Sequence, residues 1–280
     1  MGPFSLWNTD LANQVGSAIG AEYADSDIYG WYGPAMNTHR NPFCGRNFEY
    51  YSEDGILGGY IASAVINGSA EQGVYAYIKH FALNEQEMNW CSFLLTYSDE
   101  QAIREIYLKP FEICVKNYES QSLAVMSSFI FIGDIYSGEN PYLLNNVLRG
   151  EWGFQGMVET DWNGSYGYQQ TDACVRNGND IMLGFLQHES NQLDTSSPTL
   201  VNAMRQACKN IMYTVVNSAA YDEENLQTGL EPMTQMFVII DVIVAVVTLG
   251  IMAIVVVRWM KKRKATVTVT TESSEDKKQE

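Results

Sequence analysis

Short apolar runs alternate with amphipathic helical stretches along the first 220 residues, and no strand-like run directly follows another. Asn8 to Tyr23 places Leu11, Val15, Ile19 and Ala21 at helical spacing behind a polar start at Asn8-Thr9-Asp10. Helices are likewise expected over Ile56 to Asn67, Asp99 to Asn117, Tyr142 to Gly150, Asp172 to Arg176 and Leu200 to Ala220. Between them, Asp27 to Tyr32, Gly73 to Ile78, Ser122 to Ser127, Gly156 to Thr160 and Asp180 to Leu183 read as strands. A loop rich in Asn, Pro and Gly carries Asn37 to Asp54. Such alternation is the pattern of an α/β fold with a parallel sheet, because each parallel pair needs a crossover helix.

A different constraint acts near the carboxyl end. Met236 to Val257 is apolar except for Asp241, and Arg258, Lys261, Lys262, Arg263 and Lys264 follow. About 22 residues rising 1.5 Å each reach roughly 33 Å, enough for a hydrocarbon core of about 30 Å. The reading is a single transmembrane helix at 236–258, joined by a polar linker (221–235) to a domain at 1–220. The basic cluster puts the tail, 259–280, in the cytoplasm and the domain outside, at the cell membrane. Beyond the cluster the tail is too polar to fold by itself. Met1 to Trp7 has neither a basic nor an apolar signal-peptide region, so an exported domain of this kind implies a segment upstream. The formal net charge of -16 excludes a nucleic-acid partner, which needs a basic footprint. Five scattered cysteines without a CxxC pair, and no cluster of His, Cys and Asp at ligand spacing, imply no metal and no cofactor.

The polar residues fall on the α/β frame in a pattern. Arg40, Arg46 and Glu49 follow the first strand, Lys79-His80 the second, Ser127-Ser128 the third and Asp161-Trp162 the fourth. In a parallel barrel these carboxyl ends open on one mouth, where catalytic groups gather. Each residue also has a plainer role available. Asp161 suits a helix cap, Lys79 a solvated charge, His80 a core histidine, and Arg46 an ion pair with Glu49 or Glu53. Their convergence favours a site.

Several motifs carry a family resemblance. Gly33 to Tyr50 (GPAMNTHRNPFCGRNFEY) continues into Tyr51-Ser52-Glu53-Asp54. Lys79 to Glu87 (KHFALNEQE), Arg104 to Phe111 (REIYLKPF), Val125-Met126-Ser127-Ser128, Leu148 to Phe154 (LRGEWGF) and Gly178-Asn179-Asp180 follow in order. Together they closely resemble glycoside hydrolase family 3, the β-glucosidase family, from about Leu6 to Ala220. Phe81-Ala82-Leu83-Asn84 after the Lys-His pair is similar to the glucosidase branch rather than the N-acetylglucosamine branch. The resemblance implies a (β/α)8 barrel like that of triosephosphate isomerase, here partial and lacking its first strands. It implies Asp161 as the nucleophile of a retaining hydrolase of β-glucosides or short β-linked oligosaccharides. Arg46, Lys79 and His80 would hold the hydroxyls of the first sugar, Trp162 would wall its ring, and Met126 would lie on the pocket floor. Lys79 and Arg46 are expected to lower the Asp161 pKa.

A retaining mechanism needs a second carboxyl about 5–5.5 Å from the first. In this family it usually comes from a separate α/β sandwich domain, which nothing here resembles, so that domain is expected in trans. Glu49, Glu53, Asp54, Glu85 and Glu87 are the carboxyls within this chain to weigh against that expectation. The alternative is an inactive sugar-binding or structural remnant anchored in a membrane. Three positions depart from the family pattern: Trp90 stands where Arg is usual, Phe129 where Tyr is frequent, and Ile130 where Asn is usual.

Overall fold

The computed structural model describes residues 7–117, 122–163, 167–184, 192–222 and 232–276. Helix α1 (Thr9–Asp25) starts where the Asn8 side chain accepts the Leu11 N–H at 3.1 Å, satisfying a donor the helix leaves open. Asp54 does the same for α2 (Gly55–Ala70), accepting from Ile56 N at 2.8 Å. The two helices approach closely at glycines. A Cβ on Gly16 would overlap the Val65 carbonyl, and one on Gly68 would overlap the Asn13 carbonyl. Gly68→Ala is therefore expected to cost about 2 kcal/mol, because backbone rather than a movable side chain must give way. A fall in the urea midpoint at unchanged m checks it; an unchanged midpoint would contradict this packing.

The strands are β1 (Gly30–Trp31), β2 (Tyr75–Phe81), β3 (Leu95–Thr96), β4 (Ala124–Ser127), β5 (Phe131–Ile132), β6 (Ile135–Tyr136) and β7 (Met157–Glu159). One sheet has the order β1-β2-β4-β7 with every pair parallel. Tyr75 lies opposite Gly30, Ile78 opposite Val125, and Val125 opposite Val158. Of the expected strand Asp180 to Leu183, only Ile181 pairs, through a single parallel bridge to Glu159. These five positions form part of a barrel-like α/β wall.

Side-chain alternation gives the wall two faces. Ala76, Ile78, Val125 and Val158 face outward into the main apolar core with Ile61, Val65 and Ile66 of α2, and Phe81 joins them because the β2–β4 register shifts between Ile78 and Phe81. Tyr77, Ala124 and Met157 face the bore and pack with Tyr75, Ile181 and Ile211. Ile211 belongs to α6 (Pro198–Val216), which follows the short α5 (Thr171–Arg176). Thr214 of α6 accepts the Met157 N–H at 2.9 Å.

Two expectations are corrected, and a third is met in another helical form. Asp99 to Asn117 is broken into α3 (Glu100–Ala102), a π-helical turn (Ile103–Tyr107) and α4 (Lys109–Lys116). Pro110 has no N–H to continue an α ladder, and Leu108 N instead reaches Ile103 O at 2.8 Å. The expected helix at Tyr142 to Gly150 is present as Tyr142–Glu151, wound as a π-helix that closes with Trp152 N to Val147 O at 3.0 Å. Strands do occur in succession: β5 and β6 form an antiparallel hairpin, and β3 pairs parallel with β5 in a second sheet. Two-residue strands are too short to show a period, and the turn rests on Gly133 at φ +65.

The chain forms two compact units, Met1–Leu226 and Gln227–Glu280. The second contains α7 (Pro232–Asp276), long and apolar enough over Met233–Arg263 to cross a membrane, with an 18-residue stretch inside it of mean hydropathy 2.9 and none of that stretch buried. Its helix runs through most of the tail expected to be unfolded, since propagation from an existing helix avoids the nucleation cost. Most of the expected linker, 223–231, lies outside the described residues.

Candidate active site

Lys79 and His80 stand near the end of β2, Met126 in β4, and Asp161 two residues beyond β7. Because β2, β4 and β7 are adjacent and parallel, their carboxyl ends share one side of the wall. His80 Nε2 lies 3.5 Å from Asp161 Oδ2. The His80 backbone is clamped by Asn37, whose Oδ1 accepts its N–H at 2.8 Å and whose Nδ2 donates to its carbonyl at 3.0 Å. Asn37, 1% exposed, thus fixes the residue facing the carboxylate. Its place beside β2 explains its role, which its loop position in the sequence did not disclose.

Arg46 pairs with Glu49, and Lys79 Nζ lies 4.0 Å from the other Glu49 oxygen. This chain holds two cations within electrostatic range of Asp161. Burial nonetheless raises the Asp161 pKa, overcoming the Trp162 N–H at 2.7 Å and the attraction of Arg46 and Lys79; Glu49 adds to the rise. The expected net lowering is therefore corrected: desolvation of a side chain 13% exposed outweighs two cations, both already shared with Glu49. Burial also keeps His80 neutral, well below the usual imidazole pKa, with Arg46 and Lys79 acting in the same direction. Lys79 is lowered by burial, which exceeds the pull of Glu49.

Other members of the expected mouth lie elsewhere or serve as pins. Arg40 packs over the Tyr107 ring at 5.8 Å. Ser127 and Ser128 are fully buried; Ser127 Oγ accepts from Asn179, and Ser128 Oγ donates to Ala82 O at 2.8 Å. Met126 is buried opposite Glu159, and Trp162 is 37% exposed. No helix begins at Asp161 among the described residues, so capping does not account for it.

Among the candidate second carboxyls, Asp54 caps α2 and Glu53 is exposed. Glu85 is buried against Thr38 N at 3.3 Å and Asn37, and burial pushes its pKa up to about 7. Glu49 is held by Arg46, and Glu87 accepts from Asn84 Nδ2 at 2.6 Å while lying within electrostatic range of Asp161. A further carboxyl was missed. Glu159 lies two residues before Asp161, so strand alternation places both on the bore side. It is 4% exposed, accepts from Tyr32 Oη at 3.3 Å, and has one oxygen without a hydrogen bond among the described residues. Its pKa rises to about 7, mainly by burial. The alternation Met157, Glu159, Asp161 was the signal that could have found it.

A buried pair sets the position of β7. Arg149 donates to Asp180 Oδ2 at 2.7 Å and to Gly156 O at 2.9 Å, while Asp180 Oδ2 accepts Val158 N–H at 2.7 Å. Arg149→Leu would leave the Asp180 carboxylate, 2% exposed, without its cation, at an expected cost of about 3 kcal/mol. Replacing both partners by leucine should recover part of that loss. Equal stability of the single variant and the native chain would contradict the assignment.

Residues 1–206 match the profile described as the Glycosyl hydrolase family 3 N terminal domain. The chain is 43% identical over 178 residues to Beta-glucosidase A of Butyrivibrio fibrisolvens, covering 64% of this chain and 21% of that protein. It is 44% identical over 162 residues to Beta-glucosidase B of Emericella nidulans, covering 58% of this chain and 19% of that protein. Among solved structures, beta-glucosidase 3B from Thermotoga neapolitana in complex with glucose superposes with TM-score 0.67 at 37% identity, over 79% of this chain and 32% of that one. The chain thus spans about a fifth of the length of these curated relatives. With its parallel wall, its carboxyl-end cluster and this match over most of its length, the chain belongs to glycosyl hydrolase family 3.

Proposed function

We propose that the chain carries the nucleophile half of a retaining β-glucoside hydrolase, with Asp161 attacking the anomeric carbon. The observation that supports this most is the buried Asp161 carboxylate facing His80, with Arg46 and Lys79 in range. Arg46, Lys79 and neutral His80 offer donors to sugar hydroxyls, and such contacts strengthen as the ring approaches an oxocarbenium geometry. Trp162 walls the ring and Met126 underlies it. Because burial raises the Asp161 pKa, the acid limb of the rate profile should lie above that of an ordinary aspartate.

The acid/base is assigned to a segment outside this chain, an α/β sandwich domain in trans. Local partners already hold Glu49, Glu85 and Glu87. The same observation favours a second reading, a non-catalytic sugar-binding remnant. α7 and the basic cluster after it support single-pass anchoring in the cell membrane, with the barrel outside and the tail cytoplasmic.

A leaving group that needs no protonation separates the two readings. With 2,4-dinitrophenyl β-glucoside, the full chain should release about one equivalent of dinitrophenolate and then slow, because no base activates water for the second step. Azide, a nucleophile needing no deprotonation, should restore turnover. A folded chain that binds the glucoside yet releases nothing would leave the remnant reading.

A further inference from the structure

The His80 ring is approached from one side only. Its Nε2 faces Asp161 Oδ2 at 3.5 Å, while its Nδ1 is buried with no hydrogen-bond partner among the described residues. A working imidazole is ordinarily oriented through the bond its second nitrogen makes. Here that task falls to the backbone, where Asn37 Oδ1 accepts the His80 N–H at 2.8 Å and Asn37 Nδ2 donates to the His80 carbonyl at 3.0 Å. An amide turned over would set carbonyl against carbonyl and donor against donor, so the clamp works in one orientation.

Glu85 favours that orientation. Its Oε1 accepts from Asn37 Nδ2 at 3.5 Å, from Thr38 N at 3.3 Å and from Thr38 Oγ1 at 3.5 Å. Nδ2 carries two hydrogens and so serves the His80 carbonyl and Glu85 together. The Thr38 bonds tie the loop segment bearing Asn37 to the stretch after β2 that bears Glu85. Asn37, Thr38 and His80 are each 1% exposed and Glu85 is 7% exposed, so a bond lost here is not replaced by bulk water.

We propose that Glu85 is a positioning residue: through Asn37 it sets the His80 peptide, and through that peptide the imidazole against Asp161. The kinetic consequence rests on the reading of Asp161 as nucleophile; the placement of His80 does not.

A set of variants of the full chain in detergent tests it. Glu85→Leu keeps bulk and removes the acceptor, Asn37→Ala removes the clamp, and Glu85→Gln keeps an acceptor oxygen. The rate constant of the dinitrophenolate burst at saturating substrate should fall at least roughly tenfold in Glu85→Leu and in Asn37→Ala, since a misplacement of about 1 Å can cost about a hundredfold. The double variant should be no slower than Asn37→Ala, because the two act in series, and Glu85→Gln should recover most of the rate. A rate constant does not depend on how much of the protein is folded; the burst amplitude reports that. Independently of activity, the His80 ring signals in the magnetic resonance spectrum of isotope-labelled protein should move alike in Glu85→Leu and Asn37→Ala and return in Glu85→Gln. Thr38→Val, which takes only a hydroxyl from Glu85 and serves where Glu85→Leu does not fold, should move them in the same direction. Unmoved ring signals, an unchanged burst rate constant in Glu85→Leu, or losses that multiply in the double variant would overturn the proposal. A native chain without a burst, whose His80 signals still follow the variants, would overturn the nucleophile reading and leave the positioning of His80 standing.

Discussion

Asp161→Asn should abolish the burst of dinitrophenolate, slowing glycosylation by at least about 10⁴-fold, while methyl β-glucoside still binds. An amide oxygen is too weak a nucleophile to form the glycosyl ester, and each factor of ten is about 1.4 kcal/mol of barrier. The variant keeps the size of a side chain that is 13% exposed and still offers an oxygen to the Trp162 N–H. Loss of rate at retained binding would therefore report chemistry rather than collapse of the pocket. Lys79→Met makes the complementary case, because removing a cation in range of Asp161 should weaken glucoside binding as well as rate. A burst that survives Asp161→Asn would move the nucleophile to another carboxyl.

The second large effect is on stability. Glu159→Gln should gain about 3 kcal/mol of stability relative to the native chain between pH 5 and pH 8. Burial holds the Glu159 pKa at about 7 against the usual 4.5, and each unit is worth about 1.4 kcal/mol. The sign follows from proton uptake. Between those values the folded native chain holds a proton that the unfolded chain has released, so stability is full below about 4.5 and is lost as pH rises through 7. Glutamine does not titrate, keeps an acceptor for Tyr32 Oη, and so removes this slope. Glu85, also raised to about 7, adds the same dependence to both proteins and cancels in the difference. Neutral His80 works the other way, taking up a proton more readily when unfolded, and cancels likewise. Urea unfolding of both proteins at the two pH values checks it. A difference that does not change with pH would mean that Glu159 is not held neutral in the fold.

The sheet was legible where apolar runs were long enough to carry a period. Gly73 to Ile78 and Gly156 to Thr160 overlap β2 and β7, and the helix at Asn8 to Tyr23 starts within one residue of α1. What failed was decided by contacts distant in sequence. Two-residue strands at Phe131 and Ile135 have no period to read, and they exist because the chain folds back beside Leu95. The helix at Asp99 to Asn117 ignored Pro110, although a missing N–H is visible in the sequence. For the site, strand order brought Asp161, His80 and Lys79 to one side as their carboxyl-end positions implied, but it could not reveal which polar groups serve as pins. Ser127 and Ser128 look like Lys79 and His80 in the sequence, and His80 is as buried as they are; it is the bonds to Asn179 and Ala82 that mark the serines as pins. The Asp161 pKa was misjudged because a cation count omits burial, and burial depends on the whole fold.

The central claim is that Asp161 bonds to the sugar, and mass spectrometry of a trapped intermediate tests it most directly. Fluorine at C2 of 2,4-dinitrophenyl 2-deoxy-2-fluoro-β-glucoside slows both steps by destabilising the oxocarbenium-like transition state. The leaving group departs without an acid, so the adduct should accumulate on the full chain even where no acid/base is present. A fluoroglucosyl ester on the peptide containing Asp161, absent from Asp161→Asn, is the predicted result. A label on Glu87 or Glu159, or an unlabelled folded chain under saturating reagent, would contradict it.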